Sequence, residues 1–431
     1  MNPQAELTHY AGFDWAKDHH DIVIVDVQGT ILAEFRIDHT AAGWRTWREK
    51  SAAYPRLGVA VETSFGAAVE QLLESAVSVY PVNPVSAKRY RERKCASGNK
   101  TDRHDAWALA DALRLDGQAW RVLQPQDPLV AELRILCRDE VALIEERTAL
   151  VNQLQQALHE YYPAAEEAFD DWTQRSAWAF VERFPTAEAL TRAGKRQWQK
   201  FLHTHRLNRP ETFSRRMESF AKAGEWKISA PMVAAKSFYA VAKCRQLRVL
   251  EGQLDAYRRR IEALFASHPD SGMFGSLPGA GPKLAPRLLG EIGSDRNLYR
   301  DAGGLQCMAG TAPVSYQSGQ IHRVSLRHRC NKMLRQTIHH LARLSRAQCT
   351  WAANYYDALR ERGKSDAQAL RSLGQRWLKI IWKMWQTRTC YDPELHLKNQ
   401  LAHGSWVLSF QPSTPSKKHA KNFSKKATCS G

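Results

Sequence analysis

The chain has 431 residues, 43% of them hydrophobic, and carries a net charge of +18 with a pI near 9.6. That length suits two or three domains. The apolar fraction argues against disorder throughout, and no run of eighteen apolar residues offers a membrane span. Lys and Arg in such excess point to a polyanion, because cations that neutralise phosphates release condensed counterions.

Residues 8–125 read as alternating strands and helices. His9–Ala16 is a short strand. Asp21–Val27 alternates into a second, with Val23 and Val25 on one face and Ile22 and Ile24 on the other. Gln28-Gly29-Thr30 turns the chain into a third strand, Ile31–Ile37, completing an antiparallel meander. Ala41–Ala53 has helical spacing, with Trp44 and Trp47 three apart. Leu57–Glu62 is continuously apolar until its last residue, as a buried central strand requires. Ser64 is expected to cap a helix running to about Ala76, and Val77–Val82 gives a fifth strand that Asn83-Pro84 ends. The pattern βββαβαβα, meander first, is that of an RNase H-like sheet.

From Pro128 the texture changes to long helices. Leu136, Leu143, Leu150 and Ala157 recur at seven-residue spacing, widened by Val151, Leu154 and Leu158. Leu247, Leu250, Leu254, Tyr257, Ile261 and Leu264 alternate by three and four, an a/d seam. The two helices can pair as a hairpin within the chain or as a coiled coil between chains. Residues 165–230 between them are helical but irregular, with an aromatic part (Trp172, Trp178, Phe180) and a basic part. Residues 270–400 form another helical unit rich in Arg, Lys, His and Trp. The tail from Ser413 to Gly431 holds five lysines and is expected to be disordered. The organisation expected is therefore 1–125, a helical linker 126–268, a helical domain 269–400 and a basic tail 401–431.

The chemistry of the first domain centres on carboxylates. Asp14, in GFDWA, stands inside a strand, where a charge is costly unless paired or metal-bound. Glu62 ends the fourth strand, which lies beside the first in the proposed sheet. Asp102 and Asp105, in NKTDRHDA, share one face at the start of a helix. Four acidic donors from three elements suit a hard cation, Mg²⁺ or Mn²⁺. Two such ions roughly 4 Å apart can activate an attacking oxygen and stabilise a leaving one in phosphoryl displacement. The plainer reading gives Asp102 and Asp105 to the helix dipole and Glu62 to the solvent. Asp18, Asp21 and Asp26 are read as turn or surface residues. Just before the Asp pair, Lys88, Arg89, Arg91, Arg93, Lys94 and Lys100 form either a solvated helix face or a backbone-binding segment.

In the second half, LPGAGPKLA has the pattern of a helix-hairpin-helix. Gly279 and Gly281 make a tight turn whose N–H groups can approach a phosphate, with Lys283 following. Ser318-Gly319 is read as part of a polar loop between helices, followed by Arg323, Arg327, Arg329 and Lys332. Basic residues flanking a serine can position a phosphate for attack, but on composition Ser315 and Ser325 are equally eligible. The eight cysteines are scattered singly, without a CxxC pair, so neither a zinc site nor a disulfide framework is expected. A cytoplasmic protein fits this, and the N-terminal MNPQAELTHYAG has no signal-peptide pattern.

GFDWAKD, VAVETS, NKTDRHDA, LPGAGP and AGTAPVSYQSG, in this order, resemble the IS-one-ten family of insertion-sequence transposases, DEDD enzymes also described as bridge-RNA-guided recombinases. The match covers residues 9–125 and 270–390. The resemblance implies an RNase H/RuvC-like metal site at Asp14, Glu62, Asp102 and Asp105, and a nucleophilic serine in a Tyr-x-Ser-Gly motif, matched by Ser318 after Tyr316. It further implies a covalent phosphoserine intermediate, strand exchange between donor and target DNA, and a noncoding bridge RNA that selects both by base pairing. Assembly as a dimer to tetramer at the nucleoid is implied too, with the carboxylates of one subunit meeting the serine of another. A metal-dependent, structure-selective nuclease of the Holliday-junction resolvase type is the alternative, and a non-catalytic nucleic-acid-binding protein a third class.

Overall fold

The structure, a computed structural model, describes residues 6–94 and 101–410. The chain divides into two compact units, Met1–Gln126 and Asp127–Gly431.

The first unit is built on five strands: β1 (His9–Trp15), β2 (His19–Val25), β3 (Ile31–Asp38), β4 (Leu57–Val61) and β5 (Ser78–Pro81). Their order is β3-β2-β1-β4-β5, antiparallel through the meander and parallel from β1 to β4 and β5. Helices α1 (Ala41–Ser51), α2 (Ala67–Leu73), α3 (Pro84–Lys94) and α4 (Asp102–Asp116) accompany the sheet. Strand alternation divides the core as expected. Ile22, Ile24, Phe13 and Val59 pack with Trp44 and Trp47, while Val23, Val25, Tyr10 and Ala60 pack with Ala106, Leu109 and Leu113 of α4.

Two local expectations fail. Ser64 does not cap α2: the N-cap is Gly66, at φ 102°, with no side-chain cap bond. The second strand begins two residues earlier than its apolar alternation suggests, because His19 and His20 already pair with Asp38 and Ile37.

Gly12 sets how close α4 comes to the sheet. A Cβ there would stand 1.8 Å from the Ala106 carbonyl oxygen, so only glycine lets the helix rest directly on β1. That close approach fixes the first turn of α4 at the carboxyl end of β1.

The second unit is helical. Helices α5 (Pro128–Tyr161) and α10 (Ala230–Ser267) pair along their length within the chain. Ion pairs mark an antiparallel hairpin: Arg260–Glu132 at 2.5 Å, Arg147–Glu251 at 3.0 Å, and Lys236–Glu160 at the far end. At that end α6 (Pro163–Ala168), α7 (Arg175–Arg183), α8 (Ala187–Thr204) and α9 (Pro210–Lys222) enclose an aromatic core of Trp172, Trp178, Phe180, Trp198, Phe201 and Phe220. Residues 165–230 thus form a packed tip.

The other end of the hairpin joins a second core. It gathers Leu133 and Ile261 with α11 (Ser271–Gly275), α12 (Gly281–Ile292), α13 (Ala302–Met308), α14 (Lys332–Ser345), α15 (Thr350–Glu361) and α16 (Asp366–Thr387). Trp377 and Trp385 of α16 are fully buried there, and α17 (Pro393–Ala402) follows. Between α13 and α14 a two-stranded hairpin, β6 (Val314–Ser318) and β7 (Ile321–Ser325), projects with every residue exposed. No described helix is long and apolar enough to cross a membrane.

Candidate functional site: a carboxylate cluster and a basic serine hairpin

Four sequence-predicted carboxylates lie at one edge of the first unit. Residues 10, 12 and 14 of β1 share the α4 face by alternation, so Asp14 points to the side where Gly12 admits the helix. Glu62 follows β4 with the parity of Gly58 and Ala60. Thr101 caps α4, accepting the His104 N–H at 3.2 Å, and places Asp102 and Asp105 in its first turn. The convergence has an electrostatic signature. Burial and the neighbouring Asp105, Glu62, Asp102 and Asp21 push the Asp14 carboxyl up to about 7. Among the described residues Asp14 makes no ion pair.

Sequence reasoning missed Asp21. It is not a turn residue: it sits within β2 directly opposite Asp14, on the same face. The missed signal is the polar His19-His20-Asp21 start of the strand, which hides its alternation. Asp21 accepts two bonds from Arg36, at 3.1 and 2.8 Å, and Arg36 also reaches Asp102 at 3.6 Å. His19 lies 3.7 Å from Asp21 and 3.9 Å from Asp102. One ligand atom from each of His19, Asp21 and Asp102 falls within 4.8 Å of the others, close enough to share a metal ion. Asp26, by contrast, is the turn residue expected, accepting the Gln28 and Thr30 N–H groups.

The basic segment of α3 is partly spent inside the protein. Arg91 donates to both oxygens of buried Asp105, at 2.8 and 2.9 Å. Arg93 reaches Asp111 and Asp116 at 3.9 Å each, and Lys88 pairs with Glu92 at 3.5 Å. Arg89 is exposed. Lys100 and the side chain of Lys94 lie outside the described residues.

In the second unit, the turn between α11 and α12 contains the expected glycines, but Gly279 serves packing. At φ 83°, a Cβ there would stand 2.9 Å from the backbone of Leu344, and its N–H donates to the Gln348 side chain at 2.9 Å. That amide is therefore engaged within the protein. Gly281, at φ 53° with open space around it, and Lys283 remain at the surface.

Ser318 is not in a loop between helices. It ends β6, and Gly319, at φ 54°, opens a two-residue connection to Ile321. A glycine at the first central position is the signature of a type II′ hairpin, and Ser-Gly is the sequence signal that could have found it. Cross-strand register puts Val314, Tyr316 and Ser318 on one face with Ile321, Arg323 and Ser325. Ser315 belongs to the other face, and the Ser325 hydroxyl donates to the Val314 carbonyl at 3.5 Å. Arg329 and Lys332 are exposed, whereas Arg327 donates to the Ala312 carbonyl at 3.3 Å. The return strand is anchored through Asn331, which accepts the Leu334 N–H to cap α14 and donates to buried Glu291 at 2.5 Å. Arg138 of α5 holds the same Glu291 through two bonds of 2.8 and 2.9 Å.

An α/β unit with an acidic edge, joined to a basic helical unit, matches known proteins at both ends. A DEDD transposase model of the IS110 type matches residues 11–163, and one described as Transposase IS116/IS110/IS902 family matches residues 272–357. The mini-circle protein of IS117 in Streptomyces coelicolor is 34% identical over 405 residues, covering 90% of this chain and 96% of its own length. The 44.8 kDa protein of insertion element IS116 in Streptomyces clavuligerus is 28% identical over 89% of this chain and 96% of its own. The transposase for IS1111A of Coxiella burnetii is 22% identical over 92% of this chain and 88% of its own. The chain belongs to the IS116/IS110/IS902 family of transposases, enzymes that cut and rejoin DNA.

Proposed function

We propose that this transposase exchanges DNA strands between a donor and a target by serine chemistry assisted by divalent cations on an RNase H-like, RuvC-like sheet. The observation that carries the reading is the gathering of Asp14, Glu62, Asp102 and Asp105 at one sheet edge, where burial together with the neighbouring carboxylates lifts the Asp14 carboxyl to about 7. Like charges gathered in this way are relieved by a cation, and an all-carboxylate donor set suits Mg²⁺, with Mn²⁺ as a substitute. When bound, the ions supply Lewis-acid stabilisation of the oxygens around the reacting phosphorus. Arg91 on Asp105 and Arg36 on Asp21 and Asp102 supply part of the counter-charge and orient those carboxylates.

Ser318 is the nucleophile of this reading. Its hydroxyl, which makes no hydrogen bond among the described residues, is carried at the tip of an exposed hairpin with Arg323 on the same face. Attack of its oxygen on a DNA phosphorus forms the serine–phosphate ester, breaks the P–O bond to the neighbouring sugar and releases a free hydroxyl. Attack by a hydroxyl of the other strand reverses the step and returns the serine. Arg323 and Arg329 hold the phosphate oxygens by charge-assisted bonds. Strand choice is made by a bridge RNA transcribed from noncoding DNA beside the gene, and the carboxylates of one subunit serve the serine of another in a dimer or tetramer working in the cytoplasm. The family resemblance supports these last points.

The test is exchange between a plasmid carrying the gene with its flanking DNA and a target plasmid, scored by sequencing the junctions. Exchange should vanish in Ser318→Ala, Asp14→Asn and Glu62→Gln. Deletion of the flanking noncoding DNA should abolish it, and the transcript supplied separately should restore it. Junctions formed at full frequency without that transcript would sink RNA guidance, and exchange by Ser318→Ala would sink the serine step.

A further inference from the structure

Beside the hairpin, helix α14 presents a stripe that its core packing leaves unused. Leu334, Ile338 and Leu341 face inward, while Lys332, Arg335, His339 and Arg343 recur on the outer side at helical spacing. With Leu326, just past β7, and Arg371 of α16, this stripe walls a groove of about 450 Å³. None of the described residues lining it is acidic, and none is Phe, Tyr or Trp. The field inside is positive: after burial, Arg371 and Arg335 are the main influences that lower the His339 pKa, so the imidazole stays neutral while the guanidinium groups carry the charge. Among these cations only Arg343 is compensated by a salt bridge between described residues, with Asp366 at 2.8 Å.

We propose that this groove binds the sugar–phosphate backbone of duplex DNA flanking the phosphate offered to Ser318, without reading its bases. The proposal rests on the reading that the Ser318 hairpin engages DNA. Charge supplies the chemistry, since Lys332 and Arg335 of α14 and Arg371 of α16, three cations without a salt bridge among the described residues, line the groove and suit successive phosphates. Continuity supplies the identity: Leu326, one residue after the strand that returns from Ser318, lines the groove.

The experiment measures how the affinity of the full chain, carrying Ser318→Ala, falls with salt. The probes are a duplex DNA of arbitrary sequence and a single-stranded RNA of equal length. Working without the nucleophile makes the result independent of whether Ser318 reacts. Arg335→Gln with Arg371→Gln should flatten the DNA slope of log K against log salt by about 2, at about 0.9 for each phosphate left unneutralised. The fully outward Lys332→Gln, which threatens no packing, should flatten it by about 1. RNA slopes should not change. Unaltered DNA slopes in both variants overturn the proposal, as does a weakening confined to the RNA probe, which would make RNA the occupant.

Discussion

At neutral pH Asp14 stands among Asp21, Glu62, Asp102 and Asp105, and its carboxyl holds a proton up to about pH 7. A carboxylate whose folded pKa is raised binds more protons folded than unfolded between its ordinary value and 7. Without a cation it therefore costs stability progressively as pH rises through that window. Asp14→Asn should accordingly stabilise the metal-free protein near neutral pH by roughly 1–4 kcal/mol, from about 1.4 kcal/mol per pKa unit. The gain should disappear near pH 3, below the ordinary carboxyl value of 3.8, where the wild-type group is mostly protonated in both states. Melting temperatures in chelator at the two pH values check this. An Asn variant less stable at neutral pH would contradict the like-charge account. Asp14 is legible in sequence because it interrupts an apolar strand, and Glu62 because it closes an apolar run. Asp21 is not, since it follows two histidines, and a strand that begins polar looks like a turn. Nor can sequence distinguish Arg91 as the partner of Asp105 from Arg91 as a phosphate ligand: both need the same guanidinium.

Among the elements, α4 and β1 depend on a single missing methyl group. Gly12→Ala would place a Cβ 1.8 Å from the Ala106 carbonyl oxygen, so α4 must move outward and carry Asp102 and Asp105 away from Asp14. The expected destabilisation is about 2–3 kcal/mol, typical of overpacking a well-filled core. It is measurable by denaturant unfolding followed through the buried Trp44 and Trp47, and exchange activity should fall with it. Unchanged stability would mean that the close approach does not hold the helix. The meander, the buried fourth strand and both long helices are visible as periodicities of two and three-to-four residues. The β6–β7 hairpin escapes that reading because both of its faces are exposed, so its alternation is not one of polar with apolar. Intrachain pairing of α5 with α10 is likewise invisible to heptads, which are the same for either arrangement; the ion pairs Arg260–Glu132 and Arg147–Glu251 decide it.

For the whole molecule, a net charge of +18 is divided between structure and function. Arg91, Arg138, Arg147 and Arg216 serve internal acids or carbonyls, whereas Arg323, Arg329, Lys332 and Lys283 stay at the surface. Composition reports the sum and cannot separate the two groups. The serine reading makes one demand that a metal-activated water would not: the protein itself must become joined to DNA. The direct measurement is to incubate the full chain, Mg²⁺ and its element's junction DNA, then denature the mixture and map any nucleotide-bearing peptide by mass. The account predicts a phosphodiester-linked adduct on Ser318, formed by the wild type and absent from Ser318→Ala. Cleaved DNA with free ends and unmodified protein, or an adduct of undiminished yield in Ser318→Ala, would contradict it.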